Sequence, residues 1–123
     1  MDQSSARTSE IVDAYYRAWG SGDFDGLRPT LTDDFRFDGP LMTADSPDAY
    51  ITKTKENAAM FAGSDYRNVG RVVDGDHAVI LAELAMGPVT LHTAEHFTIR
   101  DGKIASVRLY FDPTPLQQAR AGG

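Results

Sequence analysis

Early in the chain, apolar residues recur at helical spacing: Ile11, Val12, Tyr15, Tyr16 and Trp19 share one face, and the pattern stops at Gly20-Ser21-Gly22. This predicts an amphipathic first helix. Asp23 then caps a short second helix through Phe24-Asp25-Gly26-Leu27, and Pro29 is tolerable only within its first turn or so, where a missing N–H costs little. The period shifts to 2 at Phe35-Arg36-Phe37-Asp38, a half-buried strand with Phe35 and Phe37 on one face and Arg36 and Asp38 on the other, broken by Gly39-Pro40. Ser46-Pro47 starts a third helix, with serine as cap and proline at the first helical position. Behind it runs the stripe Tyr50, Ile51, Thr54, Ala58 and Phe61, ending near Ala62-Gly63.

From Tyr66 onward the texture is β-rich, with strands expected over 67–73, 78–86, 89–100 and 104–111, separated by Asp74-Gly75-Asp76, Gly87-Pro88 and Asp101-Gly102. Asp101-Gly102 is the strongest turn signal, because a type I′ hairpin needs positive φ at both central residues. Helices first and a meander afterwards predict a segregated α+β domain rather than a parallel βαβ sheet. The 123 residues fit a single domain, 1–123, with no repeats or linker and with a tail over 113–123 expected to be loosely held.

The chain has no cysteine, which removes disulfides, thiolate metal sites and a cysteine nucleophile. A formal net charge of -6 with scattered Lys and Arg argues against nucleic acid or anionic lipid as partner. No apolar run reaches membrane-spanning length, and Met1 to Ser9 lacks the pattern of a secretory signal, so no membrane association and a cytoplasmic location are expected. No Gly-rich phosphate loop, serine elbow or dinucleotide fingerprint occurs, so no cofactor is expected. His77, His92 and His96 lack metal-ligand spacing with other donors, and no metal site is assigned to them. With Val79, Leu81, Glu83, Arg108 and Tyr110 they belong to an outer sheet face of mixed character suited to a subunit contact, and a homodimer is expected there.

Several stretches together resemble the nuclear transport factor 2-like superfamily, and within it the SnoaL-like polyketide cyclases and ketosteroid isomerases. They are the helix with Tyr15 and Trp19, Gly22-Asp23-Phe24-Asp25-Gly26-Leu27, Asp33-Asp34, Ala94-Glu95-His96-Phe97, and Asp101-Gly102-Lys103-Ile104 leading into Arg108-Leu109-Tyr110-Phe111. The likeness spans residues 11–112. It implies a cone-shaped, cystatin-like roll in which a curved, mainly antiparallel sheet is wrapped by three N-terminal helices around a central pocket. It implies nothing specific about the reaction, which has to be argued from the site.

By that resemblance Tyr15 falls at the position of the isomerases' oxyanion-hole tyrosine and Glu95 at that of their protonated aspartate, whereas the base position falls on Gly39. Without a base an α-proton cannot be shuttled, so classical ketosteroid isomerisation is not expected. Asp38 is one residue short of the base position and on the opposite strand face; a bulge at Gly39 would bring it in, which makes it a reserve base. Alternation along the strand puts Thr93, Glu95 and Phe97 on one side, and the resemblance makes that side the pocket. Trp19, Phe35, Phe37, Phe61, Thr93, Phe97, Val107, Leu109 and Phe111 are the expected pocket wall, suited to a flat hydrophobic ligand.

A carboxyl in such a cavity has its pKa raised by desolvation, so Glu95 can serve as acid or base, or simply accept a hydrogen bond from Tyr15 or Thr93, or point to water at the pocket mouth. Tyr15 is either an oxyanion donor or plain core. Two functions follow: a cofactor-independent acid–base enzyme of cyclase or isomerase type acting on a small hydrophobic carbonyl compound such as a polyketide or steroid-like ring, with Glu95, Tyr15 and Asp38 as its catalytic set; or a non-catalytic module that holds a small hydrophobic ligand in the same pocket. Epoxide hydrolysis needs an Arg between two Asp, which Arg36 and Asp38 alone do not supply.

Overall fold

The apolar stripe at the N-terminus forms α1 (Gln3–Ser21), with Val12 and Tyr15 buried and Ile11, Tyr16 and Trp19 packed partly buried against the core. The computed structural model describes residues 3–61 and 63–122. Gly22 ends α1 at φ 73, a conformation that glycine adopts without a Cβ penalty. Asp23 then accepts a hydrogen bond from the Gly26 N–H and caps α2 (Phe24–Leu27), and Pro29 sits in the 3₁₀ turn Arg28–Thr30 that follows. Ser46 Oγ likewise accepts from the Ala49 N–H at 3.0 Å to cap α3 (Pro47–Asn57), which continues as a 3₁₀ turn over Ala58–Phe61. Of the expected end at Ala62-Gly63, Ala62 lies outside the described residues.

The strands are β1 (Leu31–Asp38), β2 (Thr43–Ala44), β3 (Asp65–Asp74), β4 (His77–Met86), β5 (Val89–Arg100) and β6 (Lys103–Tyr110). The Asp101-Gly102 turn has φ 54 and 74, so both central residues of the β5–β6 hairpin carry the positive φ that its sequence predicts. β3 to β6 form the expected antiparallel meander, while β1 lies beside β6 in parallel, a pairing that no local pattern announces.

The α+β class holds, but the expected cone does not. The six strands form one open sheet in the order β2-β1-β6-β5-β4-β3, neither curled nor closed: β2, only two residues long, is one edge and β3 the other, and they do not pair. Helices cover one face, and the core of Val12, Tyr15, Leu27, Leu31, Phe35, Phe37, Tyr50, Ile80, Phe97 and Val107 fills the space between. After β6 the chain forms α4 (Thr114–Gly122), whose Leu116 is buried with Val89 and Leu91 in a second small cluster. Among the described residues no helix is long and apolar enough to cross a membrane.

Two polar contacts fix α1 over the sheet. Thr8 Oγ1 donates to the Gly75 carbonyl at 2.7 Å, and Ser5 Oγ accepts from the Gly75 N–H at 2.9 Å, so both backbone groups of the residue in the β3–β4 turn are tied to the helix. Gly75 itself is at φ 58, which a residue with a Cβ adopts only under strain. Thr8 is 1% exposed, so a removed hydroxyl cannot be replaced by water without local opening. Thr8→Val, which keeps the shape and leaves the Gly75 carbonyl unpaired, is expected to cost about 1–2 kcal/mol in urea unfolding. An unchanged midpoint would show that this contact does not anchor the helix.

Candidate functional site

The β4–β5–β6 register decides which side chains meet α1. Glu95 lies between Ile80 and Leu109 across the ladder, and Phe97 between Ala78 and Val107, so the carboxyl is set among apolar neighbours on the helix-covered face. That is the side on which the sequence places it. The Tyr16 hydroxyl donates to Glu95 Oε1 at 2.6 Å. No cation pairs with Glu95 among the described residues. Burial pushes its pKa up to about 7, and the Tyr16 hydrogen bond, which favours the carboxylate, pulls back against that rise. Among the described residues Oε2 has no hydrogen-bonding partner, and no fully buried side-chain oxygen lacks one, so Oε2 keeps contact with the surface.

The partner expected for Glu95 was Tyr15, and here the structure differs. Tyr15 is 2% exposed, its hydroxyl bonds that of Tyr50, and its ring packs edge-on against Phe97 at 5.1 Å. Successive helix residues point about 100° apart, so although Tyr15 and Tyr16 both face the sheet, Tyr15 enters the core towards α3 and Tyr16 turns to β5. Burial raises the pKa of both phenols, with the Glu95 carboxyl adding to the effect, and both are neutral hydrogen-bond donors at ordinary pH. Tyr66 of β3 completes the group: its ring lies 5.7 Å from that of Tyr16, and burial raises its pKa too, although it is 41% exposed. Tyr16, Tyr50 and Tyr66 were not singled out as functional in the sequence; the helical stripes contain Tyr16 and Tyr50, but no local signal ties either to position 95.

Asp38 does not reach this group. It is exposed, on the face opposite buried Phe35 and Phe37, and the irregularity in the β1–β6 ladder falls between Leu31 and Arg36, upstream of it, so no bulge at Gly39 turns it inward. At Gly39 itself a Cβ would come within 3.1 Å of the Phe37 ring, so even a small side chain there would press on the core. Phe35 and Phe37 pack on Tyr50, at 5.1 and 5.0 Å between rings, and Trp19 on Phe61 at 6.2 Å. Val107 and Phe97 are fully buried core, and Thr93, half-buried, donates to the Ala82 carbonyl rather than to Glu95. Leu109 and Phe111 line a groove of about 620 Å³ with Asp38, Gly39, Arg108 and Tyr110 where β1 and β6 leave the sheet. A second, of about 340 Å³, lies between α1 and β3 and includes Tyr16 and Tyr66. On the bare face His77 Nδ1 and His96 Nε2 lie 3.0 Å apart, and His92 approaches Glu83 at 3.9 Å; among the described residues no three His, Asp or Glu side chains gather as metal ligands.

A helix-covered sheet with an ionisable carboxyl facing the helices defines the class, and comparison with known proteins supplies the family. The model of the SnoaL-like domain matches residues 12–107, and the chain belongs to that family. Among solved structures, a Jannaschia protein proposed to be a SnoaL-like polyketide cyclase superposes with TM-score 0.85 at 19% identity, covering 97% of this chain and 94% of its own. A Kribbella flavida protein is 27% identical with TM-score 0.78, covering 92% and 93% respectively. A Sinorhizobium meliloti protein proposed to be a polyketide cyclase is 25% identical with TM-score 0.71, covering 82% of this chain and 94% of its own. The comparison with curated proteins returned no match.

The raised pKa of Glu95 carries a stability signature. The folded state holds this proton more tightly than the unfolded chain, so the contribution is complete below the ordinary value of 4.5 and is lost as pH rises towards about 7. Wild type is therefore expected to lose about 2 kcal/mol more than Glu95→Gln between pH 5 and pH 8 in urea unfolding. Tyr16→Phe, which removes the bond favouring the carboxylate, should move the Glu95 titration above 7 when followed by carboxyl ¹³C shifts. Parallel stability curves for wild type and Glu95→Gln would show that the carboxyl is solvated.

Proposed function

We propose that this SnoaL-like chain is a cofactor-independent acid–base enzyme of cyclase or isomerase type, acting on a small hydrophobic carbonyl compound. The observation that carries the reading is the state of Glu95: a carboxyl raised to about 7, bonded through one oxygen to Tyr16 and open through the other. A group with this pKa is divided between acid and carboxylate near neutrality, the condition under which one side chain can both take and return a proton. The family match and the proposed cyclase activity of the Sinorhizobium meliloti relative support the same class of chemistry.

In this mechanism Glu95 Oε2 removes the proton α to the substrate carbonyl, and the C–H electron pair moves into the C–C bond as the carbonyl oxygen becomes an enolate. Tyr66, a neutral phenol beside Tyr16 and partly open to solvent, is the donor to that oxygen. Tyr16 holds the carboxyl in place. The enolate then either regains the proton from Glu95 at another carbon, which is isomerisation, or attacks a second carbonyl of the same molecule, which closes a ring and leaves an alkoxide that takes the proton back from Glu95 and becomes a hydroxyl. Tyr15, sealed from solvent and bonded to Tyr50, positions Tyr16 and Phe97 and does not touch substrate.

A second reading, ligand binding without chemistry, is favoured by one observation: the interior behind Glu95 is filled by the chain's own rings, and the two grooves described are open to solvent. In either reading two copies of the chain pair through the bare sheet face, where Val72, Leu81 and Tyr110 are exposed.

The experiment is exchange of α-protons for deuterium in a panel of cyclic ketones and 1,3-diketones, followed by NMR. Wild type is expected to accelerate exchange for at least one member. Glu95→Gln should lower that rate at least about tenfold and Tyr66→Phe by a comparable factor. Ketones that bind without any enzyme-dependent exchange would leave the binding reading and remove the enzymatic one.

A further inference from the structure

The groove between α1 and β3 has a feature that alternation along the strand does not predict. Tyr66, Asn68 and Arg71 all line it, although 68 and 71 differ by an odd number and would lie on opposite faces of a regular strand. The register explains this: Asn68 pairs with Ala82 and Arg71 with Ile80, both on the helix-covered face, and the ladder shifts between Asn68 and Gly70. A β-bulge at Val69 therefore turns Arg71 inward. Bulges bend the strand and re-aim side chains in this way. Without it Arg71 would face out, on the side of the sheet that carries Val72 and Leu81.

Once turned inward, the Arg71 guanidinium is held against α1. It donates to Ser9 Oγ at 2.7 Å, to the Ser9 carbonyl at 3.4 Å and to Asp13 Oδ1 at 2.7 Å. A guanidinium has five N–H donors in a rigid fork, so part of the fork remains free for an incoming acceptor. One turn further along α1 from Asp13, Arg17 lines the same groove, exposed and with no acceptor or carboxylate bound to it among the described residues. Among the residues that line the groove Arg17 and Arg71 are cations and Asp13 is the anion, so a chain of net charge -6 presents a local positive excess beside Tyr16 and Tyr66. The two tyrosine rings, tilted 34° to each other, form an aromatic wall next to the charge.

We propose that this groove binds a planar ring compound through an anionic group, a carboxylate or an acidic enol, with Arg17 and the free part of the Arg71 fork meeting the charge and Tyr16 and Tyr66 meeting the ring. The proposal rests on the acid–base reading only in taking the bound ring to be the substrate whose α-carbon is offered to Glu95; the binding site itself stands on the bulge, the fixed arginine and the unpaired one. Arg17 is then a specificity-determining residue, outside the catalytic group, that selects acidic over neutral ring compounds.

The probes are 1-naphthoate and its neutral counterpart 1-naphthalenemethanol, titrated into the full-length protein and followed by ¹⁵N–¹H spectra at low and high salt. Naphthoate should shift the amides of α1 around residue 17 and of β3 around residues 66–71, and bind about fivefold more tightly than the alcohol at low salt, as an exposed ion pair allows, with the advantage fading at high salt. Arg17→Gln should abolish the advantage and Arg17→Glu reverse it. Both should leave the fold intact, because Arg17 is exposed and makes no contact that the fold needs. Equal binding of acid and alcohol by wild type would overturn the proposal, as would an acid preference that survives in Arg17→Glu or shifts confined to the groove at β1 and β6. Naphthoate preference without ketone exchange would sink the enzymatic reading and leave this site standing; ketone exchange without naphthoate preference would do the opposite.

Discussion

A carboxyl group that no cation among the described residues pairs with, facing the apolar layer between sheet and helices, is the constraint around which this molecule is organised. Removing such a group from water is costly, and only hydrogen bonding or protonation offsets it. Here one phenol bonds one oxygen, the other oxygen keeps contact with the surface, and the balance sets the pKa at about 7 rather than at an ordinary acidic value. Close pairing with Arg71 would have held the acid ionised, and full enclosure would have held it protonated. The intermediate position depends on where α1 lies, because α1 delivers Tyr16, and α1 is held by its polar contacts to Gly75 at one end and by Arg71 in the middle.

The same helix therefore serves two sites with one surface. Tyr16 points to Glu95, while Asp13 and Arg17, one turn apart from each other on α1, look into the groove at the sheet edge. Edge strands carry unpaired backbone groups and are places where sheets are usually disturbed or covered. At β3 the disturbance is a bulge that brings a cation to the helix-covered side. The stability of the helix–sheet contact and the charge of the groove are thus linked through Arg71, whose bonds to Ser9 and Asp13 do both jobs. Arg17 has no structural duty of this kind, which leaves it free to answer to a ligand.

Much of the fold could be read from local chemistry. Asp23 and Ser46 cap the helices they were expected to cap, Asp101-Gly102 makes its hairpin, and alternation from Leu91 to Ile99 puts Glu95 on the helix-covered face. These are features determined within a few residues. What escaped depends on contacts distant in sequence: the parallel pairing of β1 with β6, the two-residue β2, and the openness of the sheet, which is decided by whether its edges meet and not by any strand alone. Tyr15 and Tyr16 illustrate the same boundary within the site. Periodicity puts both on the buried face of α1, but which phenol reaches residue 95, 79 positions further on, depends on the rotation of the helix over the sheet. The bulge at Val69 was equally hidden, since a Gly at position 70 inside a strand pattern is only a weak hint of one.

The lost base position at Gly39 fits this picture physically. A carboxylate at residue 39 would press on the Phe37 ring, which lies 3.1 Å from where a Cβ would stand and would have to give by a few tenths of an ångström, and Phe37 in turn stacks on Tyr50, the partner of Tyr15. The rings that fill the interior and an inward acid at position 39 therefore compete for the same space in this packing. With that end closed by aromatic side chains, the carboxyl that faces the helices on β5 is Glu95, and under the proposed function its open oxygen and neutral phenol partner would put proton transfer there, towards the α1 and β3 side of the sheet. A chain that moved its acid–base group from the β1 end would need substrate to arrive from another direction. The groove carrying Arg17, Arg71 and the two tyrosines lies on that side.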